Sequence, residues 1–260
     1  KGTAGQYFVG NCDRKTFTVD EHFSQQIKSE KAALLDWGKD NYASVSFDNV
    51  PKEKRVIIGW MSNWDYAQEV PTQAWRSSMT VAREVSLKKT NDGYILKNIP
   101  VAQLKKYQGK STRKTIKVKA ENQLIEKSQI DLSKAVVDLD LKKMTAGKYT
   151  FALKNALGEE LTFGIDNTTK ELFVDRSKSG NTDFGNHFAT AVSKAPLNKV
   201  YSNVKMKLVI DKTSIEIFFN DGEKVLTEIF FPNEHFSELY LSTDTKGSTL
   251  NIRGHQLNIN

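Results

Sequence analysis

The chain has 260 residues, 38% of them hydrophobic and 27% charged, with a formal net charge of +7 at pH 7. That composition excludes a disordered chain and suffices for one large domain or two ordinary ones. The longest apolar runs fall far short of the ~20 residues that cross a bilayer, and Lys1 to Gly5 carry no leader core, so neither a membrane span nor a signal segment is expected within the chain.

The positive charge alone does not predict nucleic-acid binding, which requires clustered cations on one track. The densest basic run, Lys105, Lys106, Lys110, Arg113, Lys114, Lys117 and Lys119, partly alternates with Ile116 and Val118 and reads as a solvated linker and strand face. No nucleic-acid partner is expected. Cys12 is the single cysteine, which excludes an internal disulfide, and the four histidines (His22, His187, His235, His255) lack metal-ligand spacing.

In chain order, apolar–polar alternation bounded by turn residues predicts strands at Gln6–Gly10, Tyr42–Phe47, Arg55–Trp60 and Met79–Leu87, with Asn91-Asp92-Gly93 closing a hairpin. The stretch "VDEHFSQQIKSEKAALLDWGKD" reads as a connection between them. Further strands are predicted at Val136–Leu141, Lys148–Leu153, Glu160–Ile165, Glu171–Asp175 and Lys205–Asp211, spaced as in a sandwich or barrel. The clearest hairpin is "SIEIFFNDGEKVLTEIFF", in which Ile215, Ile217 and Phe219 share one face before the Asn220-Asp221-Gly222 turn. Helical periodicity is confined to Ala120–Lys127 and the neighbourhood of Leu104.

The fold class is therefore all-β. Hydrophobicity falls and lysines accumulate between Pro100 and Thr115, which predicts a first unit over 1–104, a linker over 105–114 and a second unit over 115–260. The second has the size of a self-contained sandwich. The first looks like blades of a propeller, and open blades expose sheet edges, so partner strands outside the chain are expected.

Trp60, Trp64 and Trp75, three of the four tryptophans, fall within sixteen positions. Trp60 ends a predicted strand, and "SN" signals a turn before Trp64. One reading packs the indole between sheets, its N–H on a backbone acceptor. The other places flat indoles at a strand-to-loop rim under a sugar ring, with Asp36, Tyr42, Asn63, Asp65 and Tyr66 bonding its hydroxyls.

The segment "LLDWGKDNYASVSF" and the following "IIGWMSNWDYAQEVPTQAWRSSMTVAREVSL" closely resemble the later propeller segments of glycoside hydrolase family 32, the invertases, levanases, inulinases and related β-fructofuranosidases. "GQYFVGNCDRKTF" resembles the segment after that family's general-acid motif, and "LFVDRSKSGNTDF" and "DKTSIEIFFNDGEKVLTEIFFP" resemble its accessory sandwich. The resemblance implies the last blades of a five-bladed β-propeller followed by a β-sandwich. It implies the C-terminal part of a retaining hydrolase that releases fructose from sucrose, levan or inulin through an aspartate nucleophile, a glutamate acid/base and a further aspartate. The motifs that carry those three, near WMNDPNG, RDP and EC, do not occur in these 260 residues, so no catalytic residue is assigned and the chain alone is expected to be inactive. Asp13, Asp20, Glu21, Asp40, Asp48, Glu53, Glu69 and Glu84 read instead as solvated strand and turn positions.

By the same resemblance Trp60 packs against the fructosyl ring, Asp36 lies near the bound sugar with Lys39 beside it, and Asn63, Trp64 and Tyr66 are rim contacts. The implied partners are a fructose-containing oligo- or polysaccharide and the N-terminal blades of the same protein; no metal or cofactor is implied, and the location is extracellular or periplasmic. One departure is Ala82, where the family commonly has proline before Arg-Glu; alanine restores a backbone donor and frees φ at a strand entry. A fructan-binding or lectin-like protein that does not cleave remains the alternative, and a purely structural sandwich a third. Asn167-Thr168-Thr169 fits either an N-glycosylation acceptor or a turn, and Asp175–Gly180 either a sugar contact or a turn.

Overall fold

The computed structural model describes residues 3–30, 32–91 and 93–259. A hairpin of β1 (Gly10–Cys12) and β2 (Phe17–Val19) precedes helix α1 (Glu21–Glu30). Strands β3 (Tyr42–Ser46), β4 (Val56–Met61), β5 (Ser78–Met79), β6 (Arg83–Thr90) and β7 (Gly93–Pro100) then form one antiparallel sheet of order β3-β4-β6-β7, with β5 added on β4. A 3₁₀ helix (Ala102–Tyr107) leads into the second half.

That half contains β8 (Gln108–Lys117), β9 (Asn122–Lys127), β10 (Ala135–Lys142), β11 (Lys148–Lys154), β12 (Glu160–Asp166), β13 (Glu171–Lys178), β14 (Ser193–Pro196), β15 (Asn203–Asp211), β16 (Ser214–Phe219), β17 (Lys224–Ile229), β18 (Glu238–Thr243) and β19 (Thr249–Leu257). They make two six-stranded antiparallel sheets, β17-β16-β15-β10-β19-β8 and β14-β13-β12-β11-β18-β9. The all-β expectation holds. Alternation explains the core: Val137, Leu139 and Leu141 of β10, Phe151 and Leu153 of β11, and Ile215, Ile217 and Phe219 of β16 enter one cluster shared by both sheets. Strand β16 is buried on its other face too, where Phe218 packs with Val81 and Leu104 from the first half.

Several expectations are corrected. The predicted connection contains α1, whose start is capped by Asp20 Oδ1 accepting from Phe23 N at 3.2 Å. Among its described side chains Phe23 is the one wholly buried; it packs on Tyr7 and Tyr94, too little to write an apolar stripe. The predicted helix over Ala120–Lys127 is strand β9, held by its ladder to β18. Residues 105–114, read as a linker, hold the end of the 3₁₀ helix and the first part of β8, with Lys110, Arg113 and Lys117 on the solvent side. Over Gln6–Gly10 only a Gln6–Leu34 bridge forms before β1 begins. Met79–Leu87 is interrupted because Thr80 N donates to Gly59 O while Val81 N turns away to Glu216 Oε1. Thr90 and Gly93 face each other across the predicted β6–β7 turn; its Asp92, like Lys1 and Gly2 at the start of the chain, lies outside the described residues.

Asn167 is buried, and its Nδ2 donates to Thr145 O and Tyr201 O while Oδ1 accepts from Tyr201 N, so the folded chain offers no glycan acceptor there. Among the described residues no helix is long and apolar enough to cross a membrane.

Strand β17 lies at a sheet edge, and the segment 36–40 closes it. Trp37 N donates to Val225 O at 2.7 Å and Asp40 N to Thr227 O at 3.1 Å. Gly38 makes this approach possible, since a Cβ there would lie 2.1 Å from Thr227 N and O. Gly38→Ala is therefore expected to destabilise the chain by about 1–3 kcal/mol, read as a lower urea midpoint at unchanged slope.

Candidate functional site

Strand β4 has two faces with different tasks. Gly59 and Met61 point inward, Met61 into a cluster with Tyr66, Val70, Phe188, Ile229 and Phe231. Trp60 points the other way, with Tyr42 and Met79 as its cross-strand neighbours. The chain then turns. Tyr66 N and Ala67 N donate to Asn63 O, and Asp65 N donates to Asn63 Oδ1 at 3.0 Å. This turn sets the Trp64 ring 4.9 Å from that of Trp60, tilted by 48°. Trp60 is half-buried and Trp64 is 60% exposed, so together they form an open aromatic surface.

Asn63 is itself buried and donates from Nδ2 to Lys39 O at 2.9 Å, tying the tryptophan turn to the edge-covering segment. The Lys39 side chain is half-buried. Burial and the nearby Arg176 push its ammonium pKa down, while Glu228, Asp40 and Asp65 pull it up.

The predicted site residues thus separate. Trp60, Trp64 and Lys39 retain solvent-facing surface. Asp36, expected beside a sugar, is buried: its Oδ1 accepts from Gly38 N and Thr227 N, and its Oδ2 from Asn41 Nδ2, Arg83 Nη1 and Thr227 Oγ1. Tyr66, expected at the rim, is also buried; its hydroxyl donates to Asp40 Oδ1 and accepts from Arg176 Nη2 at 2.8 Å. Burial, reinforced by Asp40, raises the Tyr66 pKa and keeps the phenol neutral.

Two buried arginines organise these groups. Arg83 donates to Asp36 at 2.9 Å, to Glu216 through Nε at 3.0 Å and to Thr227 Oγ1 at 2.7 Å. Arg176 donates to Asp40 at 2.6 Å, to Phe188 O at 2.9 Å and to Ile229 O at 3.0 Å, and pairs with Glu228 Oε2 at 3.0 Å. Asp40, read from sequence as solvated, is fully buried. Burial raises the pKa of Glu216 against the pull of Arg83, and that of Glu228 against Arg176, with Asp40 adding to the latter rise.

Sequence reasoning missed Arg83, Arg176, Glu216 and Glu228 as a set. A signal was present: Glu216 in "SIEIFF", Glu228 in "VLTEIFF" and Arg176 in "LFVDRS" are charges inside otherwise buried runs, which a folded chain tolerates only when they are paired. The resulting site has aromatic area and an ammonium that can hold a polyhydroxylated ring, while Asp36 and Asp40 are committed to arginines.

Comparison with known proteins agrees with this architecture. The model for "Glycosyl hydrolases family 32 N-terminal domain" matches residues 1–99, and that for "Glycosyl hydrolases family 32 C terminal" matches residues 101–256. A levanase of Bacillus subtilis is 34% identical over 92% of the chain, and an extracellular exo-inulinase of Aspergillus niger 31% identical over 97%. The chain spans 35% of the levanase and 47% of the exo-inulinase. The crystal structure of exo-inulinase from Aspergillus awamori superposes with a TM-score of 0.82 at 29% identity, over 99% of this chain and 51% of that one. A β-fructofuranosidase from Schwanniomyces occidentalis, solved with fructosyl-erythritol, shares the fold with a TM-score of 0.78 at 22% identity, over 98% of this chain and 53% of its own.

The buried carboxylates set a pH dependence. Glu228 has a folded pKa raised above its ordinary 4.5, so the folded state binds its proton more tightly than the unfolded state. Its contribution is fully present below pH 4.5 and is lost as pH rises through the folded value. Glu228→Gln keeps an acceptor for Ser193 and Lys39 N and should abolish that loss. Urea unfolding at a series of pH values is expected to show the variant gaining on the wild type from pH 4.5 upward.

Proposed function

The chain belongs to glycosyl hydrolase family 32, and from that premise we propose that it is the C-terminal part of a retaining glycosidase that releases fructose from sucrose or fructans. In this reading the sheet of β3 to β7 is a blade of a five-bladed propeller, and the two six-stranded sheets are the accessory sandwich. The boundary falls at the 3₁₀ helix, Ala102–Tyr107, rather than across 105–114. The names of the relatives, levanase and exo-inulinase, support a fructan substrate, and "extracellular" in one of them supports work outside the cytoplasm.

The observation that carries the reading is the Trp60–Trp64 pair, open to solvent and fixed through Asn63 to Lys39. Trp60 lies under the C–H face of a furanose, where apolar ring area replaces water, and Trp64 extends the platform toward the next residue of the chain. The Lys39 ammonium donates to hydroxyls at the edge. Asn63, Asp36 and Tyr66 act from behind, holding the turn and the edge-covering segment in place.

Retaining hydrolysis needs two carboxyl groups about 5–5.5 Å apart, one protonated and one ionised. The acids of the "LDWGKD" segment do not fit that role, because Asp36 and Asp40 are ion-pair partners of Arg83 and Arg176. The reactive carboxylates are assigned to polypeptide outside these 260 residues, and this part supplies binding and orientation.

Two measurements test the proposal. Incubated with sucrose, levan or inulin, the purified chain is expected to release no fructose; sustained turnover would refute the assignment of the carboxylates elsewhere. Calorimetric titration with a fructo-oligosaccharide is expected to show Trp60→Ala weakening the platform's site roughly tenfold, about 1.4 kcal/mol, and Trp64→Ala, at the exposed ring, weakening it with an unchanged unfolding midpoint.

A further inference from the structure

The outer face of the sheet β17-β16-β15-β10-β19-β8 carries a pair of like charges that the fold itself leaves unanswered. Strand register sets Arg253 of β19 directly opposite Arg113 of β8, where facing Cβ atoms lie about 4.5–5.5 Å apart and like charges are destabilising. Both residues are exposed. Among the described residues neither guanidinium has a hydrogen-bond or ion-pair partner. The charge is felt next door: burial, and after it Arg253, holds the His255 imidazole below its ordinary pKa of 6.5 against the opposing pull of Asp138.

Cations on an edge strand keep it from pairing with other chains, and that accounts for Lys110, Arg113 and Lys117 on β8. It does not account for Arg253, which stands one strand in from the edge. The two arginines line a shallow concavity of about 360 Å³ together with Thr115, Asn251, Asp138 and Asp140, and none of the platform residues lines it. Thr115 Oγ1 donates to Asn251 Oδ1 at 2.8 Å, which leaves the Asn251 amide Nδ2 as a donor. The two acids, on the β10 side, are already answered: Lys207 pairs with Asp138, and Lys142 with Asp140 at 3.2 Å. The surplus is two guanidinium forks.

That surplus selects the ligand by its chemistry. A cation is repelled, and an apolar guest would cover the charges without offering an acceptor. A single carboxylate meets one fork with its two oxygens. A phosphate carries close to two negative charges and three strong acceptor oxygens, enough to engage both forks at once.

We propose that Arg113 and Arg253 form a phosphate-binding site on this outer face, taking either free phosphate or the phosphate groups of an anionic polymer. The site does not rest on the fructan reading above. Occupied, it relieves the repulsion between the two strands and stabilises the sheet; with a polymer as its ligand, it holds the chain against a phosphate-bearing surface.

The test uses the full chain in calorimetric titration with inorganic phosphate and, separately, with inorganic polyphosphate at the same ionic strength. The wild type is expected to take up one phosphate per chain. Arg253→Gln and Arg113→Gln should each weaken that binding at least about tenfold, and Arg253→Lys should recover only part of the loss, because an ammonium keeps the charge without the fork. Phosphate should raise the unfolding midpoint of the wild type and leave that of Arg253→Gln unmoved. Lys119→Gln, at an exposed lysine outside the concavity, is the control for diffuse charge. Tighter binding of polyphosphate at equal phosphate concentration supports the site with a polymer as its ligand, and equal binding supports it with free phosphate. If neither probe binds saturably, or if Lys119→Gln weakens binding as much as Arg253→Gln does, the proposal fails.

Discussion

Two guanidinium groups, each clasped by two carboxylates in a space closed to water, hold this molecule's halves in register. Arg83 comes from the first half and reaches Glu216 of β16; Arg176 comes from the second and reaches Asp40. Each half therefore sends a cation into the other. Removing ions of this kind from water costs several kcal/mol apiece, and the cost is offset only when geometry is close and the remaining donors are occupied. Here they are occupied: Thr227 Oγ1 and the carbonyls of Phe188 and Ile229 take guanidinium N–H groups that the acids leave over. The Arg176 guanidinium also lies 3.9 Å over the Phe188 ring. Such a network contributes less to net stability than to specificity, because a shifted docking would leave buried charges without partners.

The same groups solve the problem of an open sheet edge. Among the described residues strand β17 has no strand beyond it, yet its outward N–H groups are not idle: Thr227 N donates to Asp36 Oδ1 and Ile229 N to Asp40 Oδ2, each at 2.9 Å. Side-chain carboxylates stand in for the carbonyls of a neighbouring strand, and the backbone of residues 37 and 40 supplies the donors. Two carboxylates on a short segment around Gly38 achieve what a regular strand would need several residues to do. The Arg176 cluster reaches further still, since Arg176 lies on β13 in one sheet and Glu228 on β17 in the other. Two sheets and two loops of the first half, at Asp40 and Tyr66, meet at that one ion.

What could be read from the sequence follows from these constraints. Strands with one face in a shared core, such as β10, β11 and β16, announce themselves by alternation, and the Trp60–Trp64 rim was visible as a strand end followed by a turn. The helix α1 was not, because among its described side chains Phe23 is the one fully buried anchor, Ile27 is only partly covered and the other residues are polar. Strand β9 was mistaken for a helix because Leu124 is exposed while Ile125 and Glu126 are both buried, so its pattern lacks a clean period of two. Asp36 and Asp40 misled for another reason. They sit in a segment rich in turn residues, where acids are usually solvated, and the groups that bury them lie 189 and 191 residues along the chain. No local pattern encodes a partner at that distance.

The junction and the platform are mechanically continuous. From Arg83 the contacts run through Asp36 to Asn41 Nδ2, whose Oδ1 accepts from Ser44 Oγ and sits against Gly59; a Cβ at residue 59 would lie 2.0 Å from it. Gly59 adjoins Trp60. From Arg176 they run through Tyr66 into the turn headed by Asn63, which carries Trp64. The two indoles are thus each within a few residues of a different buried arginine, and both arginines also hold the second half of the chain. A rim built from a short strand end and a turn would ordinarily be the softest part of such a sheet. Bracing it from behind at two points converts it into a surface with fixed ring positions, the condition under which aromatic area translates into binding rather than into the entropy of ordering a loop.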